Sequence, residues 1–159
     1  MNKREYLKIL EYLAQTPQRI ATLVDTLSAA ALLYRPAPDA FCALEQVCHL
    51  RDIEREGYRV RVRRILEEDR PALQNIDGAR LAIERDYRSQ DLAAALADFA
   101  AARAESVRLL RETTVAQRMR TGRFDDSDAF SLYGLAEMMR LHDGGHISEL
   151  EAIRDSIQR

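Results

Sequence analysis

His142 and His146 stand four residues apart, the spacing that places two side chains one above the other on one face of an α-helix. Two imidazoles so placed can share one metal ion, each giving it a lone pair. Without an ion they make a poor pair in a dry core. Several polar atoms then need partners, and protonating both would bury like charges. The chain has three histidines in all, and the third, His49, lies far off in another helical segment. The chemistry suggested is a divalent ion held by imidazoles from two helices. Spacing alone does not tie His49 to the pair.

Other metal chemistries fail on spacing. The stretch His142-Asp143-Gly144-Gly145-His146 lacks the glutamate of the H-E-x-x-H metalloprotease motif. The paired Glu-x-x-His motifs of di-iron bundles are also missing. Cys42 and Cys48, six residues apart, point in separate directions on a helix, so they read as a helix-start residue and a small core residue. Two carboxylates fall near the imidazoles: Glu149 beside the pair, and Glu45 on the face of His49. Either could orient a ligand imidazole or handle a proton. Arg103 sits in the middle of an apolar face, which calls for an internal carboxylate such as Glu45 or Glu54. Binding an anionic substrate group is the competing role.

The elements that must position these residues read as four long amphipathic helices. The first spans about Lys3 to Leu27, with Leu10, Leu13, Ile20, Val24 and Leu27 on one face. Pro17 predicts a kink or break near Thr16, because it lacks an N–H and crowds the preceding turn. Ser28 to Asp39, with Pro36 and Pro38, reads as an extended loop. The second helix runs from Cys42 or Ala43 to Glu68 and stops at Asp69-Arg70-Pro71. Gln74 to Gly78 is a connector, and Ala79 to Tyr87 a short helix. The third long helix begins after Ser89 as N-cap, and Thr113 to Asp128 is a loop whose aspartates could cap the last helix, Ala129 to Ile157. His142 and His146 fall in the centre of that helix's apolar stripe. Gly144 and Gly145 cost about 1 kcal/mol each there, so close approach of a neighbour is expected. No strand is predicted. The fold expected is a four-helix bundle, with a connection of about twenty residues between helices two and three that lets them run parallel.

Composition narrows the class. At 159 residues, 47% hydrophobic and 31% charged, the chain suits one globular domain over residues 1–159. A net charge of −2 gives no reason for a polyanionic partner. Arg59, Arg61, Arg63 and Arg64 scatter around a helix, so nucleic-acid binding is not expected. The charged start lacks the apolar core of a signal peptide, and no apolar run approaches the ~20 residues of a membrane span. A cytoplasmic protein without a disulfide framework is the expectation. Amphipathic helices are compatible with a homodimer, although no face is marked as its interface.

The segment from Phe41 to Glu54 (Phe-Cys-Ala-Leu-Glu-Gln-Val-Cys-His-Leu-Arg-Asp-Ile-Glu) resembles the Trp-Ser-x-x-Glu-x-x-x-His-Leu-x-Asp-x-Glu segment of the DinB/YfiT-like superfamily. The resemblance continues through Arg61 to Leu66, Pro71 to Leu73, Asp77, Tyr87, Asp91, Phe99 and Arg103, and ends in the His-x-x-x-His of residues 142 to 146. It implies an up-down-down-up bundle with one divalent metal on His49, His142 and His146. Zinc and nickel are the metals favoured, with iron and manganese as further candidates. Characterised relatives use the ion in thiol-dependent transferase or isomerase reactions, which implies a small-molecule substrate and a low-molecular-weight thiol as cosubstrate. Three neutral imidazoles also leave coordination positions open, as catalytic sites do, so hydrolytic chemistry is compatible. The other reading is a non-catalytic stress or interaction protein with a structural or vestigial metal. Phe41 and Cys42 replace the usual Trp and Ser, and Glu149 stands where Gln is common.

Overall fold

Four long helical segments carry the fold in the computed structural model, which describes residues 2–125 and 127–157. In chain order the elements are α1 (Lys3–Asp25), α2 (Ala29–Leu32), α3 (Ala43–Asp52), a π-helical turn (Ile53–Tyr58) leading directly into α4 (Arg59–Glu67), β1 (Ala72–Leu73), α5 (Gly78–Glu84), a 3-10 turn (Tyr87–Ser89), α6 (Leu92–Arg111), α7 (Val115–Arg118), β2 (Thr121–Phe124), β3 (Phe130–Ser131) and α8 (Leu132–Ile157). The architecture is a four-helix bundle with a small sheet at one end. Among the described residues, no helix is long and apolar enough to cross a membrane.

Side-chain contacts give the helix directions. Tyr6 stacks on Tyr133 at 5.7 Å and Arg19 pairs with Glu151 at 2.9 Å, so α1 and α8 run the same way. Arg55 pairs with Asp98 and Arg59 with Glu105, so α3–α4 and α6 advance together. The Tyr6 hydroxyl donates to the Leu110 carbonyl at 3.0 Å, and Arg103 reaches the Leu13 carbonyl, which sets α1 against α6. Residues 68–91 form the long crossover between the two parallel segments.

Several local expectations are corrected. Helix α1 passes through Pro17 without a break. The carbonyl that proline leaves without an N–H partner is that of Leu13, four residues back. The Arg103 Nη1 donates to it at 3.3 Å, and the Thr16 hydroxyl donates to Tyr12 O at 3.0 Å. The loop after α1 contains the one-turn α2, because the Ser28 hydroxyl accepts from the Ala31 amide. Asp91, not Ser89, caps α6, accepting from the Ala94 amide at 2.7 Å. The Thr113–Asp128 loop holds α7 and β2. Strand β2 pairs in parallel with β1 (Leu73 opposite Phe124) and antiparallel with β3 (Gly122 opposite Phe130). Gly122 has to be small, since a Cβ there would lie 2.8 Å from Leu73 Cδ1 and 3.1 Å from Ile65 Cγ1. Ser131 caps α8 through the Gly134 amide, in place of the aspartates expected to do so; Asp126 lies outside the described residues.

The core falls into two apolar clusters. One gathers Ile20, Val24, Val47, Leu50, Phe99 and Leu150; the other gathers Tyr6, Leu13, Tyr58, Val62, Leu110 and Met139. Arg103 bridges them, with its guanidinium 5.0 Å from the Phe99 ring. It is 1% exposed, and its partners Glu54 and Asp143 have fully buried side chains. Arg103 Nε donates to Glu54 at 2.9 Å, and both terminal nitrogens donate to Asp143. Burial opposes the charge, but the two carboxylates outweigh it and raise the arginine's pKa further. Of the internal partners expected for Arg103, Glu54 is the one present, and Asp143 is an unexpected second.

Truncating one member of a buried ion cluster strands its partners' charge, a loss of about 3–5 kcal/mol. Arg103→Met should therefore lower urea-denaturation stability by that amount. A loss below about 1 kcal/mol would show that the cluster does not hold the core together.

Candidate metal centre

His49 is carried by α3, every residue of which is buried. The start of that helix is fixed by Glu45, whose carboxylate accepts from the Cys42 amide at 2.8 Å and pairs with Arg35. Burial raises the Glu45 pKa, but Arg35 and the Cys42 amide prevail and hold it below the usual value. Glu45 makes no hydrogen bond to an imidazole among the described residues; it anchors the helix that bears His49. The His49 ring lies 5.3 Å from that of Phe41 and directly over Gly78 at the start of α5. A Cβ on Gly78 would lie 2.4 Å from His49 Cε1 and 2.5 Å from Nδ1. The connector residue Gly78 is thus part of the site.

His142 and His146 project from α8, but not from its innermost line. That line runs through Leu135, Met139, Asp143, Ile147 and Leu150. Asp143 occupies the centre expected for the histidines, and Arg103 accounts for its burial. The bidentate bond between them sets the rotation of α8, which turns both imidazoles toward α3. Close packing at the paired glycines is not found: a Cβ on Gly144 would lie 3.5 Å from the Tyr12 hydroxyl, an ordinary contact, and a Cβ on Gly145 would meet no other element within 4 Å. Nothing in the structure explains Gly145.

The three rings converge through their Nε2 atoms. His142 Nε2 lies 3.3 Å from His49 Nε2 and 3.2 Å from His146 Nε2. One nitrogen from each ring falls within 4.8 Å of the others. Nitrogens held about 2.0–2.1 Å from a tetrahedral ion stand about 3.3–3.4 Å apart, close to the two observed separations. Neutral imidazoles facing one another cannot satisfy both contacts at the central nitrogen, whereas a shared cation accepts all three lone pairs. The residues therefore fit a divalent ion.

Protonation states point the same way. Burial, helped by His146, pushes His49 down to about 4, against a weak opposing pull from Asp52. Burial and the two neighbouring imidazoles push His142 down to about 3. Burial also lowers His146, opposed by Glu149 and Asp143. All three are neutral at pH 7, as metal ligands must be.

Around the rings, Gln46 was missed from the sequence. Its carbonyl Oε1 accepts from His146 Nδ1, and its Nε2 donates to Glu149. This fixes the His146 proton on Nδ1 and leaves the Nε2 lone pair turned inward. Its position three residues before His49, on the same helical face, was the available signal. Glu149 lies at the rim, 3.5 Å from His146 Nδ1, with its side chain 60% exposed. The Nδ1 atoms of His49 and His142 have no partner among the described residues. The His142 ring instead packs against the Tyr58 ring in a T-shaped arrangement, centroids 5.6 Å apart. A cleft of about 390 Å³ opens on His146, Gln46 and Glu149.

The sequence profile of the DinB superfamily matches residues 12–150. Among solved structures, YfiT from Bacillus subtilis, described as a probable metal-dependent hydrolase with an unusual four-helix bundle topology, superposes with a TM-score of 0.93. It is 20% identical, and the match covers 99% of this chain and 90% of that one. At that identity the likeness speaks for the fold. No curated protein sequence matches significantly.

The contact between Gly78 and His49 gives a double-mutant test. Gly78 has no positive φ, so its backbone accepts alanine, and the imidazole is the obstacle. Gly78→Ala should cost about 1–3 kcal/mol in wild type through overpacking. In a His49→Ala background the cost should vanish, as urea denaturation would show. Equal costs in both backgrounds would place the His49 ring elsewhere.

Proposed function

The chain belongs to the DinB superfamily, and from that premise we propose that it is a metal-dependent enzyme acting on a small molecule, with His49, His142 and His146 as ligands of one divalent ion and hydrolysis as the reaction. The observation that carries this reading is the convergence of three neutral imidazoles beside an open cleft. A structural site would be closed by a fourth protein ligand, and no other His, Cys, Asp or Glu joins the cluster among the described residues. Zinc and nickel suit three imidazoles. The ion would supply Lewis acidity, polarising a carbonyl and acidifying a coordinated water or thiol.

The chain's own residues do the rest. Gln46 holds His146 in the tautomer that presents Nε2 inward. Arg103 and Asp143 fix the rotation of α8, and Gly78 leaves room for the His49 ring. Phe41 walls the cleft and keeps water from the flank of His49. Glu149 lines the same cleft and is the carboxylate placed to take a proton there and pass it to water. The description of YfiT as a probable metal-dependent hydrolase supports hydrolysis over transfer. Transfer to a low-molecular-weight thiol would use the same open position, and the products separate the two.

The test is turnover of a panel of small esters and amides by chelator-treated protein before and after return of zinc or nickel, with and without added thiol. Hydrolysis should appear only with metal, yield the free acid regardless of thiol, and fall by at least about 100-fold in His142→Ala. Metal-loaded protein inactive on every substrate would contradict the enzyme reading and leave a bundle that holds an ion. Products that carry the thiol would replace hydrolysis with transfer.

A further inference from the structure

The cleft beside the imidazoles has a one-sided charge. It is lined by apolar groups of Pro36, Phe41, Ala79 and Ile153, and its two charged residues, Asp39 and Glu149, are both acidic. Elsewhere on the surface carboxylates are commonly paired: Glu56 with Arg85, Glu105 with Arg59 and Arg63, Glu68 with Arg64, Glu151 with Arg19. Among the described residues, neither cleft carboxylate has an arginine or lysine partner. Glu149 meets only the Gln46 amide and the His146 ring, and Asp39 forms no side-chain hydrogen bond. Of the arginines nearest in sequence, Arg35 pairs with the buried Glu45 and donates to the Pro38 carbonyl beside Asp39, without reaching the Asp39 carboxylate, and Arg154 pairs with Asp155.

We infer that the substrate is a small molecule with a protonated amine at its outer end, joined by a short apolar chain to the group that reacts at the imidazole cluster. This deepens the proposed function and rests on it. The apolar walls take the chain and Asp39 takes the ammonium; Glu149, beside His146, adds negative charge that attracts an ammonium and repels a carboxylate. The volume, about 390 Å³, lies at the small-ligand end of the range for binding clefts. Both rim carboxylates are exposed, so each adds modestly, and the selectivity comes from attraction of one sign combined with repulsion of the other.

The test uses the full chain loaded with zinc and titrated calorimetrically at pH 7 with hydroxamates of equal length ending in ammonium, methyl or carboxylate. The hydroxamate end chelates metal, so the outer end alone varies. The ammonium form should bind most tightly and the carboxylate form least, the two differing by about tenfold or more. Asp39→Lys, on an exposed loop away from the imidazoles, should erase or invert that order with zinc content unchanged. Equal affinities in wild type, or an order that survives Asp39→Lys, would overturn the substrate class while leaving the metal reading in place. Elemental analysis of each sample keeps the two apart: protein that retains no zinc overturns the metal reading, and this inference with it.

Discussion

One guanidinium ties together all four long helical segments. Arg103, on α6, donates to the Leu13 carbonyl on α1, to Glu54 in the π-helical turn and to Asp143 on α8. Each partner answers a local problem. The Leu13 carbonyl is free because Pro17 has no N–H, and Asp143 would otherwise be a bare charge on the innermost line of α8. Helices that rely on apolar contact alone can rotate and slide with little change in buried area. A bidentate arginine–carboxylate pair permits one rotation.

That rotation matters because the imidazoles flank Asp143. With Asp143 drawn to Arg103, His142 and His146 turn toward α3, where His49 waits over Gly78. The π-helical turn does similar work on the facing helix. Nine residues of ideal α-helix would set Tyr58 about 180° from His49, and the extra residue of a π-turn reduces this to about 80°. Tyr58 thereby reaches the His142 ring. The site is not an addition to the bundle; it is built from the residues next to those that lock the bundle together.

The long helices could be read in the sequence because each carries enough apolar residues at spacings of three and four. The i, i+4 pair was equally legible. His49 joined it through the resemblance of residues 41–54, since no local rule links residues 93 positions apart. What escaped was set by tertiary contact. The centre of the α8 stripe reads as the histidines because an aspartate followed by two glycines looks like surface, and only Arg103 justifies its burial. Pro17 suggested a break because its compensating donor lies on another helix. Strand β2 has four residues and pairs with two-residue partners, too short for a period to show. Gly78 looked like an ordinary turn residue, and Glu45, placed near His49 by the helical wheel, belongs to the helix cap.

The arrangement carries its own chemical logic. Buried imidazoles held neutral are available to an ion at pH 7, and the one whose outer nitrogen meets a glutamine also borders the cleft. On this reading, histidines from two distant segments hold one ion. Elemental analysis of protein purified without a metal-affinity tag, comparing wild type with His49→Ala and His142→Ala, tests it most directly. Wild type should carry close to one equivalent of a divalent metal, lost in both variants. Wild-type protein that takes up no zinc, nickel, iron or manganese on reconstitution, or variants that keep the ion, would contradict it.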